Sequence, residues 1–395
     1  MGHVIRPVAL TALFASAVGA QAPVQNPTPR QLEVSGLPAL NFDADEGFGY
    51  GVIMALYDYG GAAQPYRYTL QPTLFLTTHG RRDLTLFYDA PAMLPSGWRL
   101  SGYAGREQQL STPYYGIGDN SSYTPALEQG ASPYYYRYGR LRLSASADAQ
   151  HGLGSSPAHV LLGLGVSHDH VHTVPFDSGT TLLQTQLGGT TDTTGWTNYV
   201  RVGLGWDTRD REIGTHSGRW AEVLAQRSTR LLGASYDFTR VTATVREYIP
   251  LGDRLTLADR LLVQDVSGNA PFYELAAVET PYKAQDGLGG ASTIRGVPKD
   301  RYVGKSIALS NTELRWRAAD FSLHARPSSL TLSTFLDAGR VWQDGFDAST
   351  LTQGLHAGYG AGARLGFGSS FVVALDVGHS RDATAPIYIG LGYLF

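Results

Sequence analysis

Segments of about ten residues in which apolar and polar side chains alternate, separated by Gly, Asp, Pro and Ser turns, recur from residue 30 to the end of the chain. Helical periodicity is almost absent from the same stretch. In "LHAGYGAGARLGFG" (355–368), Leu355, Ala357, Tyr359, Ala361, Ala363, Leu365 and Phe367 share one face, while His356, the glycines and Arg364 share the other. "RYGRLRLSASAD" (137–148) sets Leu141, Leu143, Ala145 and Ala147 against Arg140, Arg142, Ser144, Ser146 and Asp148. "YVRVGLGWD" (199–207) sets Val200, Val202, Leu204 and Trp206 against Tyr199, Arg201 and Asp207. Strands of this kind suit a soluble sandwich with its apolar face inward, or a membrane barrel with its apolar face toward lipid. Alternation alone does not choose between them.

Three further features favour the barrel. The count is about sixteen strands, from 36–43 to 386–395, an even number as such barrels require. The connections 109–133, 172–196, 268–304 and 343–354 are long and those between them short, the asymmetry of outer-membrane barrels. Tyrosine and tryptophan collect at strand ends (Tyr57, Tyr59, Tyr134 to Tyr136, Trp196, Trp342, Tyr393), where an interfacial girdle would lie. Closure also removes sheet edges, whose unpaired backbone groups are costly in lipid. The expectation is an all-β, transmembrane antiparallel barrel of about sixteen strands, with a long loop folded into its lumen.

The N-terminus adds a compartment. Arg6, the apolar run Val8 to Val18 and the small residues Gly19 and Ala20 have the layout of a secretory signal peptide. We therefore divide the chain into a signal peptide (1–20), a proline-rich periplasmic linker (21–35) and an outer-membrane barrel (36–395) with both termini in the periplasm. Charged residues make up only 16%, and a net charge of −3 offers no field for nucleic acid. The absence of cysteine excludes disulfides, thiol catalysis and a lipidated N-terminal cysteine.

The stretch "GLGGASTIRGVPKDRYVGKSIALSNTELRW" (287–316) resembles the bacterial surface antigen and outer-membrane assembly-factor superfamily, the BamA/TamA-like barrels. "LGGASTIRGV" matches that family's glycine pair and [VI]-R-G-[FY] loop motif, with Arg295 and Gly296 in the motif positions and Val297 where an aromatic is usual. "NTELRW" supplies Glu313, and "FLDAGRVW" supplies Phe335, Asp337, Gly339, Val341 and Trp342 of the family's F-x-D-x-G-x-V-W strand. The resemblance implies a loop tucked into the lumen, with Arg295 facing Glu313 and Asp337. Strand parity independently turns both carboxylates inward, and a guanidinium fork suits two of them. The terminal Phe395 is similar to the aromatic residue that barrel-insertion machinery reads.

The resemblance also implies a role in inserting or translocating proteins or lipids at the outer membrane. The implied partners are outer-membrane lipid, the insertion machinery during biogenesis, and unfolded outer-membrane or secreted proteins. A non-catalytic structural barrel or small-solute pore is the alternative. Family members carry periplasmic receptor (POTRA) domains before the barrel, and residues 21–35 are too few to fold as one. The first strand, around "GLPALNF", is expected to be short; Pro38 donates no hydrogen bond, and Gly390 and Gly392 weaken its terminal partner, so a seam is expected there.

Other chemistry is poorly supported. "VGKS" (303–306) imitates a phosphate-loop ending but has Lys299 where the first glycine should stand. His168, His170 and His172 share one face of a strand end and suit a solvated rim better than a metal. Asp207, Asp210 and His216 are close in sequence but fall at a turn. We expect no enzyme, cofactor or metal site.

Overall fold

The structure, a computed structural model, describes residues 32–395 except 44–45, 59, 61–65, 92, 95–96, 282–283, 324–325 and 368–370. The signal-peptide residues 1–20 and most of the linker lie outside the described residues. Sixteen strands follow in chain order: β1 (Leu32–Asp43), β2 (Gly47–Asp58), β3 (Tyr68–Thr77), β4 (Arg81–Ala90), β5 (Trp98–Pro113), β6 (Arg137–Gly152), β7 (Ala158–His172) and β8 (Tyr199–Asp207). The second half comprises β9 (Gly218–Ser228), β10 (Phe238–Gly252), β11 (Leu255–Gly268), β12 (Ser306–Leu323), β13 (Arg326–Trp342), β14 (His356–Phe367), β15 (Phe371–His379) and β16 (Thr384–Leu391). A short segment, Asp192–Trp196, continues the line of β8 along the upper part of β7.

Each strand pairs antiparallel with its sequence neighbours, and β1 meets β16 to close the barrel. The alternation now has a direction. Leu84, Leu143, Leu164, Leu204 and Leu261 point outward and are each about half exposed, whereas Arg201, Arg240, Arg260 and Arg364 point inward and are buried. An apolar outside around a charged inside suits a barrel bathed in lipid. The long connections (114–136, 173–198, 269–305 and 343–355) all leave from one end, here the loop end; at the opposite turn end no connection exceeds ten residues, and the first described residue, Leu32, and the end of β16 lie there.

The loop 269–305 does not project from its end but descends into the lumen. Its Val278, Leu288, Ile294 and Val297 pack against the inward Leu262, Ile307, Leu309 and Val341 of β11 to β13, a small apolar core within an otherwise polar interior. Val297, standing where an aromatic was expected, is part of that core and 1% exposed.

Two expectations about the strands need correction. The first strand is not short: β1 has twelve residues and pairs with β2 along its whole length, with Pro38 opposite Val52. What is short is its pairing with β16, confined to Phe42↔Ile389 and Asp43↔Tyr388. The reason is the end of β16 rather than Pro38. Gly392 takes φ 82° and turns the chain away, so β16 stops at Leu391 and nothing is left to face residues 32–39. The terminal strand therefore does not run to Phe395. That ring turns inward, 8% exposed, beside Tyr248, with the Arg315 guanidinium 4.9 Å from its centroid.

Candidate functional site: a loop clasped inside the barrel and a nearly unpaired seam

The Arg-Gly turn meets five strands, β12 to β16. Arg295 lies at the bottom of the apolar core and is 0% exposed. Its Nε and Nη2 donate to the two oxygens of Asp337 (β13) at 2.8 and 2.9 Å, and its backbone N–H donates to the same carboxylate at 3.0 Å. Nη1 donates to Glu313 (β12) at 2.6 Å and lies 3.5 Å from Asp376 (β15). The guanidinium stacks on Phe335 at 3.5 Å. An uncompensated charge here would be costly, so the fork's bidentate geometry is what makes a buried arginine tolerable.

The walls are cut to receive this turn. Gly296 has φ 102°, and a Cβ there would also lie 2.8 Å from the His379 backbone. On β14 and β15, Gly358 and Gly378 leave room for the backbone of Arg295 and Gly296; a side chain at either would collide with it. The Gly296 N–H donates to the Tyr388 hydroxyl of β16 at 3.2 Å, and Ser380 Oγ donates to the Gly296 carbonyl at 2.7 Å. The turn thus reaches from β12 to the last strand.

Sequence reasoning brought Arg295, Glu313 and Asp337 together but missed the rest of the network. Arg364 pairs with Asp376 through two 2.8 Å bonds, Arg315 donates to Glu313 at 2.7 Å, and Asn311 donates to Asp337 at 2.8 Å. Parity would have marked each as inward, but not which carboxylate it meets.

A second set of ion pairs holds the descending limb of the loop to the opposite wall. Glu274 pairs with Arg142 (β6) and, at 3.0 Å, with Arg240 (β10). Glu279 pairs with Arg201 (β8) and, at 3.2 Å, with Arg240. Arg201 also donates to Asp148 at 2.6 Å and to the Pro281 carbonyl at 3.0 Å. Between this limb and the wall lies a polar cavity of about 160 Å³, lined by residues including Arg81, Arg140, Glu107 and Asp300. At the loop end, Lys299 pairs with Glu46 in the β1–β2 turn, which Arg81 also holds at 2.7 Å. Burial alone would raise the Glu46 carboxyl, but Lys299 and Arg81 outweigh it and hold the pKa down at about 2.

The remaining sequence candidates have structural surroundings. His168, His170 and His172 face outward near the loop end; His172 bonds Asp192 and Asp177, and His168 bonds Thr194 at 2.8 Å. Among the described residues no His, Asp and Glu cluster is arranged to hold a metal. Asp210 accepts the backbone N–H groups of His216 and Ser217 and so closes a turn.

A barrel whose inner loop presents an Arg-Gly turn to carboxylates on the strands that follow can be compared with known proteins. Residues 76–393 match the Omp85 superfamily domain. The chain belongs to the Omp85 superfamily. Its fold is similar to that of BamA from Haemophilus ducreyi lacking POTRA domains 1–3 (TM-score 0.61, 15% identity, 92% of this chain and 70% of that one). It is also similar to CdiB from Escherichia coli (TM-score 0.57, 15% identity, 93% of this chain and 68% of that one). No curated protein sequence matches the chain. At such identities these likenesses speak for the fold alone. Omp85 β-barrels are outer-membrane proteins of an insertion and secretion family, which sets the membrane in which this fold is to be read.

Proposed function

We propose that this Omp85 barrel assists the insertion or translocation of proteins at the outer membrane by opening laterally between β1 and β16. The observation that carries the reading is the seam. Every other neighbouring pair is laddered over most of its length, β1 with β2 over twelve positions, whereas β1 meets β16 at two. Edge strands with free backbone groups accept a further strand, so the unpaired part of β1 offers a template for an incoming one. The lumen is the weaker route, because the loop is bonded to both walls across it. An even number of strands puts both termini on one side of the membrane, which in this reading is the periplasm, with the long loops outside. Arg295, with Gly296, Glu313 and Asp337, serves as the lock that keeps the loop seated, and Phe395 as the signal read during biogenesis.

The chain has no native cysteine, so Phe42→Cys with Ile389→Cys can close the seam by a disulfide. In a deletion strain scored for outer-membrane and surface proteins, the reduced form should complement and the oxidised form should not. Full complementation by the oxidised form would overturn the gate. Steady ion conductance with no change in other outer-membrane proteins would favour a solute pore instead.

A further inference from the structure

The outward face of β4 to β7 carries two rows of residues that the seam and the clasp leave unexplained. Register places Arg82, Gln108, Leu141 and His170 side by side in one row, and Leu84, Arg106, Leu143 and His168 in the next row toward the turn end. Trp196 completes the second row, 46% exposed. The following rows are wholly apolar: Leu86, Ala104, Ala145 and Val166, then Tyr88, Gly102, Ala147 and Leu164. A basic band therefore sits directly on a greasy one.

Arg82 and Arg106 are both exposed, diagonal neighbours on adjacent strands, and among the described residues neither has a carboxylate partner. Among the described residues, the side-chain bond at this pair is Arg106 Nη2 to Gln108 Oε1, at 3.4 Å. Among the described residues, three other outward arginines do have a carboxylate partner: Arg219 is held by Glu247, Arg227 by Asp237, and Arg340 by Asp119. Two like charges side by side at a lipid surface repel each other and cost desolvation unless an anion lies between them. Facing the bilayer, above apolar rows and beside an interfacial tryptophan, that anion must belong to an amphiphile.

We propose that Arg82 and Arg106 bind the phosphate of a phosphorylated, acylated glycolipid of the outer leaflet. The guanidiniums take the phosphate oxygens, Gln108 takes a neighbouring sugar hydroxyl, and the acyl chains lie along Leu84, Leu86, Leu143 and Val166. This rests on the orientation proposed above, with the long loops outside. Labelling a Ser349→Cys variant on whole cells with a membrane-impermeant maleimide tests the orientation by itself.

The binding test uses the full barrel in detergent, with native mass spectrometry counting bound diphosphorylated lipid A, its dephosphorylated form, and phosphatidylglycerol. Wild type should retain the phosphorylated glycolipid at least about ten-fold better than the dephosphorylated one, and R82Q/R106Q should lose that preference while R82K/R106K keeps part of it. Heat-modifiable migration on a gel reports folding of each variant. Equal retention of both lipid forms by wild type, which needs no variant to fold, would overturn the proposal. So would a folded R82Q/R106Q that binds as wild type does. Displacement of all lipid by millimolar inorganic phosphate would reduce the site to a free-anion site, and preference for phosphatidylglycerol would give it to the inner leaflet; either result overturns it as stated.

Discussion

The loop 269–305 is held at two places that differ in kind. Near β12 to β16, one arginine from the loop enters a nest of wall carboxylates, Glu313, Asp337 and Asp376, and glycines clear the space around it. On the opposite wall the polarity is reversed: two loop carboxylates, Glu274 and Glu279, enter a nest of wall arginines, Arg142, Arg201 and Arg240. The first is a single point that everything converges on. The second is spread over several partners, each with an alternative. Concentrated and distributed anchors should therefore fail differently when one member is removed.

The largest effect is expected from Arg295→Ala, which leaves Asp337 buried without its ion-pair partner, although Glu313 keeps Arg315. A cost of about 3–5 kcal/mol is typical when one partner of a buried pair is removed. The heat-modification midpoint should fall, and protease should cut within 268–304. An unchanged midpoint and digestion pattern would show that the distributed anchor holds the loop alone.

Glu279→Gln keeps size and removes one of the two loop charges, while Arg201 keeps Asp148 and Arg240 keeps Glu274. We expect a loss of about 1–3 kcal/mol, with cleavage confined to 268–281 while the segment around Arg295 stays protected. Cleavage throughout the loop would mean that the two anchors act as one unit. Gly296→Ala should cost about 1–2 kcal/mol, from the left-handed backbone and the contact with His379, and Asn there should cost less than Ala; equal loss for both would point to crowding alone.

The smallest effect concerns the Glu46–Lys299 tie. Because the folded carboxyl is held at about 2 against an ordinary value of 4.5, its contribution is fully present above about pH 4.5 and is lost as pH falls toward 2. Glu46→Gln should lower stability by about 1 kcal/mol at pH 7. The difference from wild type should vanish near pH 2, as followed by acid-induced loss of heat-modifiable migration; a gap that persists there would assign the effect to packing.

The two anchors also differ in how far the sequence reveals them. Period-two alternation located the sixteen strands and showed that Arg140, Arg142 and Arg201 face inward, because side-chain direction in a strand depends on local parity. Arg295, Glu313 and Asp337 could be grouped because all three sit in recognisable motifs. Glu274 and Glu279 sit in no motif, and their partners lie up to 132 residues away in sequence, so their pairing depends on the path of the loop. Alternation also continued through Tyr393 and Phe395 as if the last strand did, because parity does not register the backbone turn at Gly392.

The Gly296 N–H bonded to the Tyr388 hydroxyl makes the two lips of the seam mechanically unequal. On one side β16 is braced from within, through Gly296 and Arg295, to β15, β13 and β12, and so moves only with a quarter of the wall. On the other, β1 and β2 form a hairpin whose described link to the loop is the single pair Glu46–Lys299 at its tip. Any widening of the gap therefore resembles a door more than a split: β16 is the jamb, the β1–β2 hairpin is the leaf, and Glu46–Lys299 is the latch.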